Sequence, residues 1–375
     1  MTLRLHKTGI EFPDGSWQMT AGNGLPYRNL IINGDMRIAQ RGTSVSGISS
    51  SNTCQTVDRF VIRLSSAGTF TISQDTDAPS GFSNSLKLVC TTANASLDSG
   101  AFSNIQQRIE SQNLQHLAFG TSSAKQFTVS FWVKSSKTGE AVLRVSNADG
   151  GVAQSQLYRI NEANTWEYKT LTFTADTNNG FDNDNGVGLN LYWFTSAGTD
   201  RTSGTLHTST WEPFAKSDEA AGQTINIADT VGNYINITGV QLEVGDTATP
   251  FEHKPYDVEL ARAQRYYYKI TGLSGQGLNC VGYASNPQLG VFTTSFPVQM
   301  RSRPTSLETT GTASDYSIRY LETSTICDVV PSFYASSELG ADVKFHVPSG
   351  TLIAGQGCMS RVQALEAYLA WSAEL

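Results

Sequence analysis

The 375-residue chain is short of charge. Asp, Glu, Lys and Arg make up 16% of it, against about 25% in an average globular protein; Ser, Thr, Asn, Gln and Gly fill the gap. It also lacks a basic cluster. Its 26 Lys and Arg are outnumbered by 33 Asp and Glu, for a net charge of −7, and nothing denser than the Arg301/Arg303 pair occurs. Phosphate neutralisation needs a concentrated basic face, so no nucleic-acid partner is expected. Long apolar runs are missing too. Leu30–Ile32 and Val329–Val330 fall far below the roughly 20 residues of a membrane span, so no membrane insertion is expected. The opening MTLRLHKTGIEF lacks the apolar core of a signal peptide, which predicts synthesis in a cytoplasm without export by that route. Cys54, Cys90, Cys280, Cys327 and Cys358 are odd in number, widely spaced and form no CxxC. A disulfide framework and a zinc site are both disfavoured, and buried free thiols are expected.

What is present is β pattern. Short runs rich in Val, Ile, Thr, Phe and Tyr are broken every ten or so residues by Gly, Asn, Asp and Ser, the signature of a sandwich. In Phe127–Val133, the residues Phe127, Val129, Phe131 and Val133 alternate with Thr128, Ser130 and Trp132. In Val187–Trp193, Val187, Leu189, Leu191 and Trp193 share a face, leaving Asn190 and Tyr192 on the other. Leu171 and Phe173 point inward between Thr170, Thr172 and Thr174. Along Tyr234–Val244 the parity slips at Gly239, which predicts a β-bulge there. Helical spacing is confined to Val258–Tyr268 and Gln107–Leu117. Later strands are expected at Gly290–Met300, Asp315–Leu321, Val329–Tyr334 and Gln363–Ala370.

These patterns divide the chain into three. Residues 1–28 form an arm punctuated by Pro13, Gly15, Gly22, Gly24 and Pro26. Residues 29–252 carry the main strand set, and 257–375 follow a short linker containing Pro255. The expected fold is all-β: a jelly-roll sandwich with a short N-terminal arm, and a smaller C-terminal β domain after a short helix. The arm carries Ile10, Phe12 and Trp17, large apolar residues that so short a segment cannot bury in itself. They mark it as an attachment segment for another protein or for further copies of the chain, in preference to a flexible tail.

The phrase NLIINGDMRIAQRGTS at Asn29–Ser44, with CQTVDRF at Cys54–Phe60 and the closing ITGVQLEVGDTATPFE at Ile237–Glu252, resembles carbohydrate-binding-module-like domains of bacteriophage tail fibres and other phage structural proteins. FTVSFWVKSS and NTWEYKTLTFTADT between them look like inner strands of such a module. ELARAQRYYYKI, FPVQMRSRPT and AYLAWSAEL, further on, resemble the C-terminal regions of fibres. The resemblance implies a virion protein, usually homotrimeric, that attaches to host-surface glycan. A purely structural tail or capsid appendage component is the alternative, and a glycan depolymerase a third reading.

Candidate site residues follow from chemistry. A sugar's apolar face packs on an aromatic ring while amides and hydroxyls take its hydroxyl groups. Trp132, Asn190 and Tyr192 would share a ligand face if their strands were neighbours, with Trp211 in a loop nearby; burial in a subunit interface is the competing role. Trp166 and Trp193 read as core. Modules of this type often hold a structural Ca²⁺, for which Asp35 and Glu243 are weak candidates. Arg37 stands where such modules carry an acid and could pair with Glu243 or Asp58, so no metal or other cofactor is predicted. The loop FDNDNG at Phe181–Gly186 lacks the calcium-loop pattern. Glycoside hydrolysis needs two carboxylates roughly 5–10 Å apart. Glu110, Glu140, Glu162, Glu167, Asp176, Asp182 and Asp184 are no more than any β-rich chain supplies. His6, His116, His207, His253 and His346 are isolated, and GxSxG and HExxH are absent. No enzymatic activity is expected.

Overall fold

The computed structural model describes residues 4–6, 9–11, 17–18, 28–348 and 350–375. Three short strands, β1 (Arg4–His6), β2 (Gly9–Glu11) and β3 (Trp17–Gln18), pair in order. Phe12 lies outside the described residues, as do the side chains of Ile10 and Trp17, so the proposed attachment contacts fall outside them too.

The main body is a β-sandwich made by one bent sheet. Its strands are β4 (Ser44–Cys54), β5 (Phe60–Asp75), β6 (Ser85–Thr92), β7 (Phe102–Glu110), β8 (Phe127–Ser135), β9 (Gly139–Asn147), β10 (Val152–Ile160), β11 (Glu167–Phe173), β12 (Val187–Ala197), β13 (Glu212–Pro213) and β14 (Tyr234–Val244). β5 turns the corner. Its first half pairs with β7 and its second half with β6. The bend falls around Ser66–Gly68, where both residues have positive φ. One layer thus runs β11-β8-β14-β6-β5 and the other β5-β7-β12-β9-β10-β13, with β4 lying along β5. At the far edge the layers are tied by side-chain amides: Gln156 donates to the Thr172 carbonyl (3.1 Å), and the Thr174 amide donates to Gln154 (3.0 Å).

Alternation decides which residues enter the core. Phe127, Val129, Phe131 and Val133 are fully buried there with Leu189, Leu191 and Trp193. Thr128 and Ser130 are buried as well, on the opposite face of β8, where the Thr128 hydroxyl donates to the Gly245 carbonyl at 2.8 Å. The bulge stands where the parity slips. Pairing of β14 with β8 shifts between Thr238 and Gln241, and Gly239 has φ +60°. A Cβ at Gly239 would lie 2.7 Å from the Phe82 ring.

Two expected helices change. Helix α1 (Thr199–Thr202) is a single turn, and α2 spans Tyr256–Gln264. α2 stops because Tyr266, Tyr267 and Tyr268 lead into strand, the conformation that aromatic residues favour. Gln107–Leu117 is instead the end of β7 followed by two 3₁₀ turns, which place Leu114 and Leu117 in the core.

The C-terminal part has two sheets. β15 (Tyr267–Thr271), β18 (Glu308–Thr309) and β24 (Tyr368–Ser372) form one; β16 (Gly277–Asn286), β17 (Leu289–Ser295), β19 (Tyr316–Tyr320), β20 (Thr323–Ile326), β21 (Val329–Ser336), β22 (Gly340–His346) and β23 (Gly357–Val362) form the other. The strand expected at Gly290–Met300 ends at Ser295, ahead of Pro297, which has no N–H for the ladder. The run expected at Gln363–Ala370 is the gap between β23 and β24 plus the start of β24. Phe292, Tyr316, Phe345 and Trp371 fill this core. All five cysteines are buried and free; burial pushes the Cys358 thiol up to about 11, as expected of inert thiols.

Candidate functional site

The outward face of the β5-β7-β12-β9-β10 layer is polar and covered. One cross-strand row reads Val61, Gln106, Tyr192, Arg144, Ser155, and the next reads Arg108, Asn190, Ser146, Ala153. Period-two alternation puts these residues opposite the core side chains Ile105, Leu191 and Leu143. A hydrogen-bonded relay orders the amides. Arg108 donates to Gln106 Oε1 (3.2 Å), Gln106 Nε2 to Asn190 Oδ1 (2.8 Å), and Asn190 Nδ2 to Ser146 Oγ (3.3 Å). Gln106, Asn190 and Ser146 are all buried. A relay of this kind fixes which groups remain free to donate and accept.

The segment after β13 folds back across this face. It brings Phe214, Ala215, Lys216 and Glu219 over Arg63, Arg144, Ser146, Tyr192 and Phe194 around a pocket of about 130 Å³. Rings and guanidinium groups alternate inside it: Arg63 lies 6.0 Å from the Tyr192 ring, and Arg144 lies 5.9 Å from Phe214. Burial pulls the Arg144 guanidinium below its ordinary pKa, opposed by the nearby Glu219 and Tyr192. Aromatic faces beside fixed amides and cations form a surface that can pack a sugar ring and bind its polar groups.

The predicted site residues divide. Asn190 and Tyr192 stand together in this face, as expected. Trp132 does not join them, because β8 and β12 belong to different layers. It stacks with Tyr168 at 5.3 Å on the outside of the other layer and lies against Gly239. Nearby, Phe82, Phe251 and His253 pack ring to ring at 4.9–5.3 Å. Trp211 stands apart from this face and packs inward: its Nε1 donates to the Thr174 carbonyl (2.8 Å) and its ring lies 5.4 Å from Phe119. Arg63, Gln106, Arg144 and Phe214 were not singled out from the sequence. Alternation on β9 and β7 would have placed Arg144 and Gln106 outward, but only strand order sets them beside Tyr192.

The weak metal candidates have other partners. Asp35 pairs with Arg37, which therefore does not pair with Glu243 or Asp58. Glu243 accepts from Gln241 Nε2 (2.8 Å), the Thr249 amide (2.8 Å) and the Thr249 hydroxyl (2.6 Å). Among the described residues no group of three His, Cys, Asp or Glu is disposed to hold a metal ion.

The opening phrase that carries the resemblance works as a clip. Asn29 Nδ2 donates to the Val240 carbonyl (3.1 Å) and its Oδ1 accepts from the Leu242 amide (3.1 Å), so one side chain mimics a strand partner for β14. Asn33 bridges the Ile38 and Asp58 carbonyls (both 2.9 Å). A Cβ at Gly34 would fall 2.1 Å from the Val240 oxygen, so only glycine allows that approach.

A larger cleft of about 1020 Å³ opens between sandwich and C-terminal part, but its cations are already satisfied. Arg265 makes a bidentate pair with Glu110 (2.8 and 2.9 Å), and Arg301 donates to the carbonyls of Asn185, Ala373 and Glu374 at 2.7–3.1 Å. It is the joint of the molecule.

No protein-family model and no curated protein matches the chain. Solved structures similar to it include the enzymatically active domain of tailspike protein 4 of bacteriophage CBA120, at 18% identity and TM-score 0.32, covering 59% of this chain and 22% of that one. A family 4 carbohydrate-binding module (CBM4) is similar at 14% identity and TM-score 0.28, covering 57% and 98%. A xylan-binding domain of CBM22 is similar at 11% identity and TM-score 0.30, covering 55% and 99%. Likenesses this low decide neither ligand nor activity. No helix among the described residues is long and apolar enough to cross a membrane.

Proposed function

We propose that this protein is a non-enzymatic tail fibre subunit of a bacteriophage, a virion component that attaches to host-surface glycan through the covered polar face of its sandwich. The observation that carries this reading is the ordered Arg108–Gln106–Asn190–Ser146 relay beside Tyr192 and Phe214. Buried amides held by one another, with rings at their side, are suited to a neutral or weakly charged polyol surface. Glu219 is the single carboxylate among the residues lining the pocket, and Arg201 holds it, which favours binding over a two-carboxylate hydrolysis. No metal or cofactor takes part in this reading. The test is a glycan array probed with the purified full chain. Tyr192→Ala should abolish binding while Trp132→Ala leaves it unchanged. Loss with Trp132→Ala alone would move the site to the other layer.

The structural reading has an observation of its own. On the outer face of the seven-stranded C-terminal sheet, Val281 opposes Met359, and Tyr283 stands two residues along. All three are exposed, Val281 by 70%. An apolar row this open suits contact between copies, as in a homotrimer, which would also raise the avidity of a weak sugar site. The arm, residues 1–28, would then attach the fibre to another tail protein. Val281→Asp should lower the oligomeric state measured by sedimentation; an unchanged state would remove this face from the assembly.

A further inference from the structure

We infer that the saccharide taken by this pocket is acidic, its carboxylate held between Arg63 and Arg144. This rests on the glycan reading above and names the class of sugar. Two cations of the pocket, Arg63 and Arg144, carry the assignment. Arg144 is only 7% exposed, yet among the described residues its guanidinium has no hydrogen bond to a carboxylate, carbonyl or hydroxyl, although it carries five N–H donors. Arg63, half-buried on the same face, likewise has none; its neighbours are the Phe102 and Tyr192 rings at 5.4 and 6.0 Å. Leaving a buried guanidinium unpaired is costly.

The neighbouring charges do not supply the missing anion. Glu219 is held by Arg201, Lys216 pairs with Asp200 (2.7 Å), and Asp218 receives His207 (3.3 Å). Arg108 is spent on Gln106, Asn52 and the Leu375 carbonyl. Among the described residues, the pocket is therefore left with two cations that have no hydrogen-bonded anion and with no unpaired carboxylate, in a protein whose net charge is −7. Planar guanidinium groups match a carboxylate fork. Tyr192, directly opposite Arg144 in the β12–β9 register, offers a ring for the sugar that bears the carboxylate. A neutral sugar would leave both guanidinium groups without a hydrogen-bonded anion, with Arg144 offset only at a distance by Glu219 and Asp218.

The test is calorimetric titration of the full chain with uronic-acid and sialic-acid oligosaccharides, with the same compounds after reduction of their carboxyl groups, and with inorganic phosphate. We expect binding of an acidic compound and not of its reduced form. Arg144→Gln and Arg63→Gln should each weaken it about tenfold or more, and added salt should weaken it further. Because Arg144→Gln sits in a covered site, Arg63→Gln serves as the milder variant, and thermal melting checks that both fold. Equal binding of the reduced sugar, unaffected by Arg63→Gln, would overturn the acidic assignment and leave the glycan site standing. Binding of phosphate alone would make the pocket a plain anion site and overturn it. Binding of no saccharide, acidic or neutral, by the intact oligomer would overturn the glycan reading itself.

Discussion

At the scale of single residues, Asp58 shows what burial does to a group whose partners only partly compensate it. Burial pushes its carboxyl up to about 6, against the hydrogen bonds of Gln40 and the charge of Arg41. An ordinary Asp titrates near 4, so the folded chain holds this proton more tightly than the unfolded one. The contribution to stability is then complete below about pH 4 and is lost as pH rises through about 6. Asp58→Asn removes that loss. The stability of the native protein relative to Asp58→Asn should fall by about 2 kcal/mol between pH 4 and pH 7, read by urea unfolding at each pH. A constant difference would place Asp58 in a wetter setting. Asn29 teaches a different lesson at the same scale. In the sequence it stands out as part of a recognisable phrase, and in the structure it is a bracket for β14 and takes no part in the pocket.

At the scale of elements, β14 was legible in detail. Its change of parity at Gly239 announced a bulge, because a side-chain period of two has no other way to absorb one extra residue. The bulge also keeps Trp132 and Phe82 packed over the strand, since both rings lie within 3.0 Å of where a Cβ would stand. Gly239→Ala adds a methyl group there and strains a φ of +60°. It should destabilise the protein by about 2 kcal/mol or more, measured as a fall in melting temperature. Adding Phe82→Ala to it should worsen the fall less than additively, because the second change relieves the clash. The 3₁₀ turns after β7 were not legible. Gln107–Leu117 has helical spacing, but Gln107 is already committed to the ladder through Phe60 and Leu191, a long-range pairing that local pattern does not contain.

At the scale of the molecule, the C-terminus locks the two halves together. Glu374 reaches into the sandwich between Arg59 and Arg41, while Arg59 lies over the Tyr266 ring at 3.5 Å and Arg41 over Tyr267 at 3.7 Å. Arg59 is only 1% exposed, so Glu374→Ala would strand a buried charge. The expected cost is about 3–5 kcal/mol, with earlier proteolysis in the linker before α2 as the readout. Glu374→Ala combined with Arg59→Met should recover most of the loss, since the fully buried guanidinium goes with its partner while Arg41 keeps Asp58. An equal loss in single and double variants would mean that packing, not charge, holds the joint.

The sequence alone determined the all-β class, the strands whose apolar residues alternate, the bulge at Gly239 and the pairing of Asn190 with Tyr192 on one face. Each of these is set by spacing within a single strand, where neighbouring side chains point to opposite sides regardless of what surrounds them. Tertiary structure decided the rest. It put Trp132 on the far layer, packed Trp211 inward, brought Arg63, Gln106, Arg144 and Phe214 to Tyr192, and left Arg63 and Arg144 without a hydrogen-bonded anion among the described residues. Those relations depend on the order in which distant strands pair around the bend in β5, and on a covering segment about twenty residues beyond β12. They arise from the closing of a sandwich core that no local stretch of the chain can express by itself.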